Sequence, residues 1–291
     1  MAGHLLDVDA KELVPVQVTD NKVVLFVDLL GFAALTEAHP VEPDLIKTYD
    51  RPFSWNIDML LAPRDNLLTR WFTSFHHSLK ATIDLAKMHH PLTAITFSDS
   101  AFIATTHLFE AANVAVYLLQ SLLLQRVPVR IGIAHGSFEA IRFRSDVTVD
   151  GGDHAAHFLG TGVVRSHATE TCGIKGLRLL LHPSAVPLLN DTAHNPPLPD
   201  KDRIRYVECS AEESSNTAGV RYEIHWWRFK PTAEAKAWHA LQNMWDAAPQ
   251  FALKHYQATA EAINRMRVEH GKPALNNLRR RTLPRSNIHN S

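Results

Sequence analysis

Lys22-Val23-Val24-Leu25-Phe26-Val27-Asp28-Leu29-Leu30-Gly31-Phe32 is the stretch on which the reading of this chain turns. Val23 to Val27 is an unbroken run of five apolar residues, mostly β-branched or aromatic. A run of that kind predicts a strand buried on both faces. Asp28 stands where the strand ends, and a carboxylate there needs a cation, a set of hydrogen-bond donors or a metal ion to offset its desolvation. Gly31 then permits a sharp turn that brings backbone N–H groups toward whatever Asp28 faces, and a helix is expected from about Ala33 to Glu37. A carboxylate at a strand end, followed by amides at a helix start, is a layout that suits a metal carrying a polyphosphate. The plainer alternative is a capped strand end.

Working outward, the spacing of Leu68, Trp71, Phe72, Phe75, Leu79, Ile83 and Leu85 predicts one long helix over 67–88. Leu92 to Phe97 and Ala101 to Thr105 read as two strands joined by Ser98-Asp99-Ser100, a β-hairpin with Asp99 at its tip. A deeply packed helix follows over 108–124, and Val127 to Gly136 supplies a fourth strand. Strand, helix, strand, strand, helix, strand is the ferredoxin-like βαββαβ order of an α/β (α+β) fold, in which the first strand lies beside the hairpin. That order alone brings Asp28 to Asp99. Two carboxylates at one sheet edge suit two hard divalent cations bound through oxygen.

Farther along, Gly162 to Glu170 predicts a helix and Leu177 to Leu181 a short buried strand. Arg203 to Cys209 and Val220 to Phe229 read as two late strands, and Thr232 to Glu269 as helix broken near Pro249. The expected organisation is a lead-in over 1–20, a catalytic domain over 21–230, a helical extension over 231–270 and a disordered tail over 271–291.

The balance of 30 Lys and Arg against 30 Asp and Glu gives a formal net charge of +0, so no global field holds nucleic acid or an anionic membrane. Cys172 and Cys209 cannot build a disulfide framework or a cysteine-rich zinc site. The first residues, Met1 to Asp9, lack the basic start and apolar core of a signal peptide, and no apolar run nears the roughly 20 residues that cross a bilayer. A cytoplasmic protein is expected.

Phe26-Val27-Asp28-Leu29-Leu30-Gly31-Phe32 resembles the metal-binding strand of the class III nucleotide cyclases, the adenylate and guanylate cyclase family. Phe97-Ser98-Asp99-Ser100 resembles that family's Gly-Asp-Ser hairpin, and Val129-Arg130-Ile131-Gly132-Ile133-Ala134-His135-Gly136 its following strand. The matches fall in family order over residues 22–185. The resemblance implies a cyclase with two Mg²⁺ or Mn²⁺ ions per site, a metal set of Asp28, Leu29 and Asp99, and phosphates cradled by Leu29, Leu30, Gly31 and Phe32. It further implies a homodimer with active sites between the subunits.

The chain also departs from the purine cyclases. Along Gly160-Thr161-Gly162-Val163-Val164-Arg165-Ser166-His167-Ala168-Thr169-Glu170, Val164 falls where the family's transition-state Asn stands and Ala168 where its Arg stands. Arg165, one position on from Val164, is the candidate to take over the charge. This pattern resembles the bacterial pyrimidine cyclases of anti-phage defence, which make cyclic UMP or cyclic CMP for a separate effector to read. In that group an aromatic residue after the first helix helps to fill the base pocket. Tyr49 is the candidate here, and packing on the sheet is the competing role. UTP is the favoured substrate. The alternatives are a cytidylate cyclase and a catalytically inactive nucleotide sensor. Arg130 could reach phosphate or pair with a carboxylate, and the structural role is the favoured one.

Other signals are decoys. Gly151-Gly152-Asp153 follows the fourth strand and lacks the Glu of the diguanylate cyclase motif. Asp153-His154-Ala155-Ala156-His157 has ligand types at zinc-like spacing, but 18 His make chance clusters common. The Arg279-Arg280-Arg281 run reads as a solvated end.

Overall fold

The computed structural model describes residues 13–38, 67–144, 153–197, 204–227 and 230–279. In chain order its core is β1 (Leu13–Leu29), α1 (Phe32–Ala38), α2 (Leu67–Lys87), β2 (Thr93–Thr96), β3 (Ser100–Thr105), α3 (Leu108–Leu124) and β4 (Val129–Arg144). These strands lie side by side as β2-β3-β1-β4, each antiparallel to its neighbour. This is the ferredoxin-like arrangement, with β1 at its centre. Beyond it come β5 (Asp153–Leu159), α4 (Thr161–Glu170), β6 (Leu179–Leu181), β7 (Tyr206–Glu208) and β8 (Tyr222–Ile224). Strand β6 runs parallel to β4 and extends the sheet through β8 to β7, while β5 folds back on β4. Helices α5 (Pro231–Ala247) and α6 (Leu253–Glu269) close the chain's described part.

Both faces of β1 are buried, as its continuous apolar run requires. Val23, Leu25, Val27 and Leu29 cluster with Phe75 and Leu79 of α2 and Leu118 and Leu122 of α3. Val24 and Phe26 point the other way and join Phe102, Ala104, Phe138 and Ala140. Each such fully buried side chain contributes roughly 1.5–3 kcal/mol of transfer free energy. The second face is covered in part by α4, and glycine makes that possible. A Cβ on Gly132 would collide with the Ser166 carbonyl, and one on Gly136 would stand 2.5 Å from Thr161 Oγ1. Helix α4 therefore rests on the bare backbone of β4, and its last residue, Glu170, comes down beside Arg130.

Three segments differ from the sequence reading. Strand β1 begins at Leu13, inside the expected lead-in, because β4 continues to Arg144 and offers it a partner from Leu13↔Phe143 to Thr19↔Phe138. That extension is hidden in the sequence by a change of parity. A register shift between Pro15 and Gln17 falls opposite Ile141 and Ala140, where the apolar alternation of β4 switches. The second difference is at the C-terminal end. Residues 271–279 are not loose: Leu275 and Leu278 pack against the core, and Gln242 Nε2 donates to the Arg279 carbonyl at 2.8 Å. Third, the late strands are only three residues each, although backbone bonds from Cys209 N–H to the Arg221 carbonyl and from His225 N–H to the Arg205 carbonyl, both 2.8 Å, continue their pairing by one step at each end.

The far half of the sheet is pinned by a buried charge network. Arg178, fully buried, meets Glu223 at 2.5 Å and Glu213 at 2.6 Å, and Arg265 of α6 reaches Glu213 at 2.9 Å. Burial works against ionisation of Glu213, but the Arg178 bond and charge, the Ser210 amide and Arg265 outweigh it and hold its carboxyl at about 2. Burial pushes the His225 imidazole down from 6.5 to about 4. Both groups make the fold acid-sensitive. His225 stays neutral in the fold while the unfolded chain takes up a proton below about 6.5, so stability falls as pH drops from there toward 4. Glu213 adds a further loss between its ordinary 4.5 and about 2. Asp28, whose carboxyl is pushed up to about 7, acts in the opposite sense over the same range, so the effect is read as a difference: by chemical denaturation at pH 7, 5.5 and 4 the wild type is expected to lose midpoint steadily relative to His225→Phe, in which the Asp28 contribution is unchanged.

Candidate active site

Asp28 is the next-to-last residue of β1, directly opposite Ser100 of β3 on one side and Arg130 of β4 on the other. Alternation along the strand puts it on the second face with Val24 and Phe26. The hairpin that carries Asp99 is stitched to the same strand end. Phe97 N–H donates to the Ser100 carbonyl at 2.8 Å to close the turn, and Leu29 N–H donates to the Asp99 carbonyl at 2.9 Å. From α2, His76 Nε2 meets the Ser98 carbonyl at 3.1 Å, so the ring carries its proton there and braces the tip. The structure thus brings Asp28 and Asp99 together through the order of the strands.

A third carboxylate, unmarked in the sequence, completes the cluster. Glu170 is 2 % exposed and pairs with Arg130, whose Nη2 lies 2.6 Å and Nε 2.8 Å from its Oε1. The Arg130 Nη1 donates to the Ile174 carbonyl at 2.6 Å. Arg130 is thereby a partner for a carboxylate, as its sequence context suggested. Burial pushes the Asp28 carboxyl up from 3.8 to about 7, Glu170 and Asp99 push it the same way, and Arg130 offsets only part of this. The strand end is short of positive charge.

Gly31 has φ +82°, a left-handed conformation that a side chain would strain, and it turns the chain from β1 into α1. The predicted phosphate cradle is narrower than expected. Leu29 N–H is engaged by Asp99 and Leu30 N–H by the Pro128 carbonyl at 2.9 Å, because both residues still belong to the sheet's hydrogen-bonded end. Gly31 and Phe32 are left to that role. Leu29 is buried, so it could meet a metal only through its carbonyl.

Arg165 does not join the carboxylates of its own chain. Its Nη1 donates to the His135 carbonyl at 2.9 Å, and its charge acts on His135 and His182. His135 is five residues along β4 from Arg130, about 17 Å at the rise of an extended strand. The cause is the direction of α4, which runs from Gly136 toward Arg130 and so delivers Glu170 to Asp28 and leaves Arg165 behind. Val164 is 68 % exposed on the same helix. Tyr49 lies outside the described residues. His90 pairs with the buried Glu110 at 2.9 Å and is not part of the cluster.

The donors at Asp28 and Asp99 are all oxygen, which fits Mg²⁺ or Mn²⁺. Among the described residues no group of three His, Cys, Asp or Glu side chains is arranged to hold a metal ion. Two aspartates are instead a partial set, of the kind that water and phosphate oxygens complete around magnesium. Burial and the two neighbouring carboxylates disfavour the ionised form of Asp28, a cost that a bound cation would offset. A groove of about 840 Å³ lined by Tyr206, Tyr222, Arg265 and Val268 lies at the β7 edge, away from this chemistry.

No protein-family model and no curated protein matches the chain. Among solved structures it is similar to the guanylyl cyclase Cya2, at 13% identity and TM-score 0.43, covering 75% of this chain and 95% of that one. It is also similar to the guanylate cyclase domain of RhGC from Catenaria anguillulae in complex with GTP, at 12% identity and TM-score 0.47, with 72% and 97% covered. The adenylyl cyclase CyaB from P. aeruginosa shows 14% identity and TM-score 0.42, with 73% and 97% covered. All three likenesses are remote.

Proposed function

We propose that the chain is a nucleotide cyclase that converts a ribonucleoside triphosphate to its 3′,5′-cyclic monophosphate and pyrophosphate. The observation that carries this reading is the convergence of Asp28 and Asp99 at one strand end, in a setting that leaves Asp28 short of a cation. Asp28 and Asp99, with the Leu29 carbonyl, would hold two Mg²⁺ or Mn²⁺ ions. Bound there, a divalent pair supplies charge neutralisation for the triphosphate and lowers the pKa of the ribose 3′-hydroxyl. In the reaction the 3′-hydroxyl gives its proton to water, its oxygen forms a bond to the α-phosphorus, the bond from that phosphorus to the bridging oxygen breaks, and pyrophosphate leaves with the electron pair. Gly31 and Phe32 offer amides to the phosphates. Glu170 keeps Arg130 turned along β4, so the guanidinium shields Asp28 without displacing its cation.

The open second face supports a homodimer. Phe97 is 42 % exposed beside the Asp99 turn, its ring 5.8 Å from that of Phe158, and Leu159 and Val164 extend the apolar patch. A second copy covering that patch would close the acid site against water and could lend it Arg165. Sedimentation is expected to give a dimer. Neither Cys172 nor Cys209 is in a disulfide, and no helix among the described residues is long and apolar enough to cross a membrane, which suits a cytoplasmic enzyme.

UTP is the proposed substrate, with an anti-phage signal read by a separate effector as the proposed setting. Support comes from the resemblance to the uridylate cyclases and from the loss of the purine-type Asn and Arg at Val164 and Ala168. Pure protein with Mn²⁺ and equal UTP, CTP, ATP and GTP is expected to yield mainly cyclic UMP. Mainly cyclic CMP refutes uracil preference alone, since one side chain can reverse that choice by roughly 1–3 kcal/mol. Mainly cyclic AMP overturns the pyrimidine reading, and no product with any of the four leaves the inactive-sensor alternative.

A further inference from the structure

Helix α6 lies outside the βαββαβ core, yet it touches the chain that holds the acid site. The loop between α4 and β6 runs against the first turns of α6 so closely that a Cβ on Gly176 would stand 2.7 Å from Thr259 Oγ1 and 2.9 Å from the His255 carbonyl. Two hydrogen bonds fix the contact. Leu177 N–H donates to Thr259 Oγ1 at 2.9 Å, and Gly176 N–H donates to His255 Nδ1 at 3.4 Å. The Thr259 hydroxyl proton goes to the His255 carbonyl at 2.8 Å, which turns its lone pair toward Leu177. Two residues before Gly176 in the same loop is Ile174, whose carbonyl takes the Arg130 Nη1 proton at 2.6 Å.

We infer that Thr259 and His255 are positioning residues for the acid site: through the 174–177 loop they fix the carbonyl that, with Glu170, aims Arg130 past Asp28. Among the described residues Arg130 is held at two points, the Glu170 carboxylate and the Ile174 carbonyl. The first is set by α4 resting on Gly132. The second is set from α6. Burial, followed by the charge of Arg130, holds His255 below its ordinary range, which places the imidazole within the field of that guanidinium and keeps Nδ1 an acceptor. A guanidinium freed from Ile174 can swing toward Asp28 and compete with its cation. The helical extension would then act on catalysis and not only on stability, and a partner that shifted α6 would reach the site by this route.

For its catalytic readout the inference rests on the cyclase reading, so the test carries a second readout that does not. Thr259→Val keeps the shape of the side chain and removes the acceptor, and Thr259→Ser restores it. Ile263→Val, in the same helix but packed on the core, serves as a control for destabilisation. Thr259→Val is expected to lower kcat by about tenfold beyond the control at equal melting temperature, in the range of losses for outer-shell groups at metal sites. Thr259→Ser is expected to recover most of it. By NMR the Arg130 Nε–H signal, protected by its 2.8 Å bond to Glu170, is expected to broaden in Thr259→Val and in His255→Leu and to stay sharp in Ile263→Val. Unchanged kcat with an unchanged Arg130 signal overturns the inference, as does a loss no greater than the control's. If the wild-type chain forms no cyclic nucleotide, the cyclase reading fails, and the Arg130 signal alone decides the positioning role.

Discussion

Asp28→Asn is expected to abolish cyclic-nucleotide formation while making the protein harder to unfold at alkaline pH. Loss of a group that organises charge in the transition state reduces turnover by about 10²–10³-fold at least. The stability effect has the opposite sign because the ionised Asp28 is a burden on the fold. Burial and two neighbouring carboxylates raise its pKa from 3.8 to about 7. The folded chain therefore holds this proton across a range in which the unfolded chain has lost it. Stability contributed by the protonated form is present in full below 3.8 and lost as pH rises through about 7. Asparagine has nothing to ionise. At pH 8 the variant is expected to melt several degrees above the wild type, and at pH 4 the gap is expected to close. Mn²⁺ with UTP is expected to raise the wild-type melting temperature and leave that of the variant unchanged. Turnover of Asp28→Asn within a few-fold of wild type would end the assignment of this residue, whatever the melting curves show.

The half of that site which sequence reading found was found through local signals. Five apolar residues ending in Asp28, and a Ser-Asp-Ser step between two short strands, are properties of neighbours in the chain, and the strand order then joins them. Glu170 carries no such signal. It stands in Ala-Thr-Glu-Thr-Cys, where a solvent-facing glutamate would look the same, and its burial follows from α4 lying on Gly132. The glycine was in view as part of a motif, but its purpose appears only when a helix is laid across it. Arg165 shows the same limit from the other side. Its place beside Val164 in the family-like stretch made it the candidate to take over the transition-state charge, and the direction of α4 sends it to His135. The long arm of β4 was obscured for a different reason. An alternating pattern that changes parity at Ala140 looks like the end of a strand, when the pairing continues past it across a bulge at Val16 of β1.

The largest effect on stability is expected at a residue with no part in the chemistry. Arg178→Met leaves Glu223, fully buried, facing Arg265 alone at 3.3 Å, and takes from Glu213 the bond that holds its carboxyl at about 2. Removing one partner from a buried ion pair costs about 3–5 kcal/mol, because the charge left behind has neither water nor its counterion. Against a total of about 5–15 kcal/mol for a native protein, that is enough to leave much of the chain unfolded at 37 °C. The damage would not stay local. Arg178 directly precedes β6, which pairs Leu179 with Ile131 and Leu181 with Ile133 of β4, and its carbonyl accepts the Ile131 N–H at 2.9 Å. Loss of the network therefore loosens the strand that presents Arg130, and activity is expected to fall with the folded fraction. Arg178→Met with Glu223→Leu removes both buried charges and leaves Glu213 to Arg265, 2.9 Å away. The double variant is expected to regain most of the lost stability, since an apolar pair of similar volume can replace a buried ion pair with little or no penalty. Denaturation midpoints of the two single variants and the double variant measure the coupling directly. A single variant Arg178→Met within about 1 kcal/mol of wild type would show that the network is solvated and not a pin, because exposed pairs are worth no more than that.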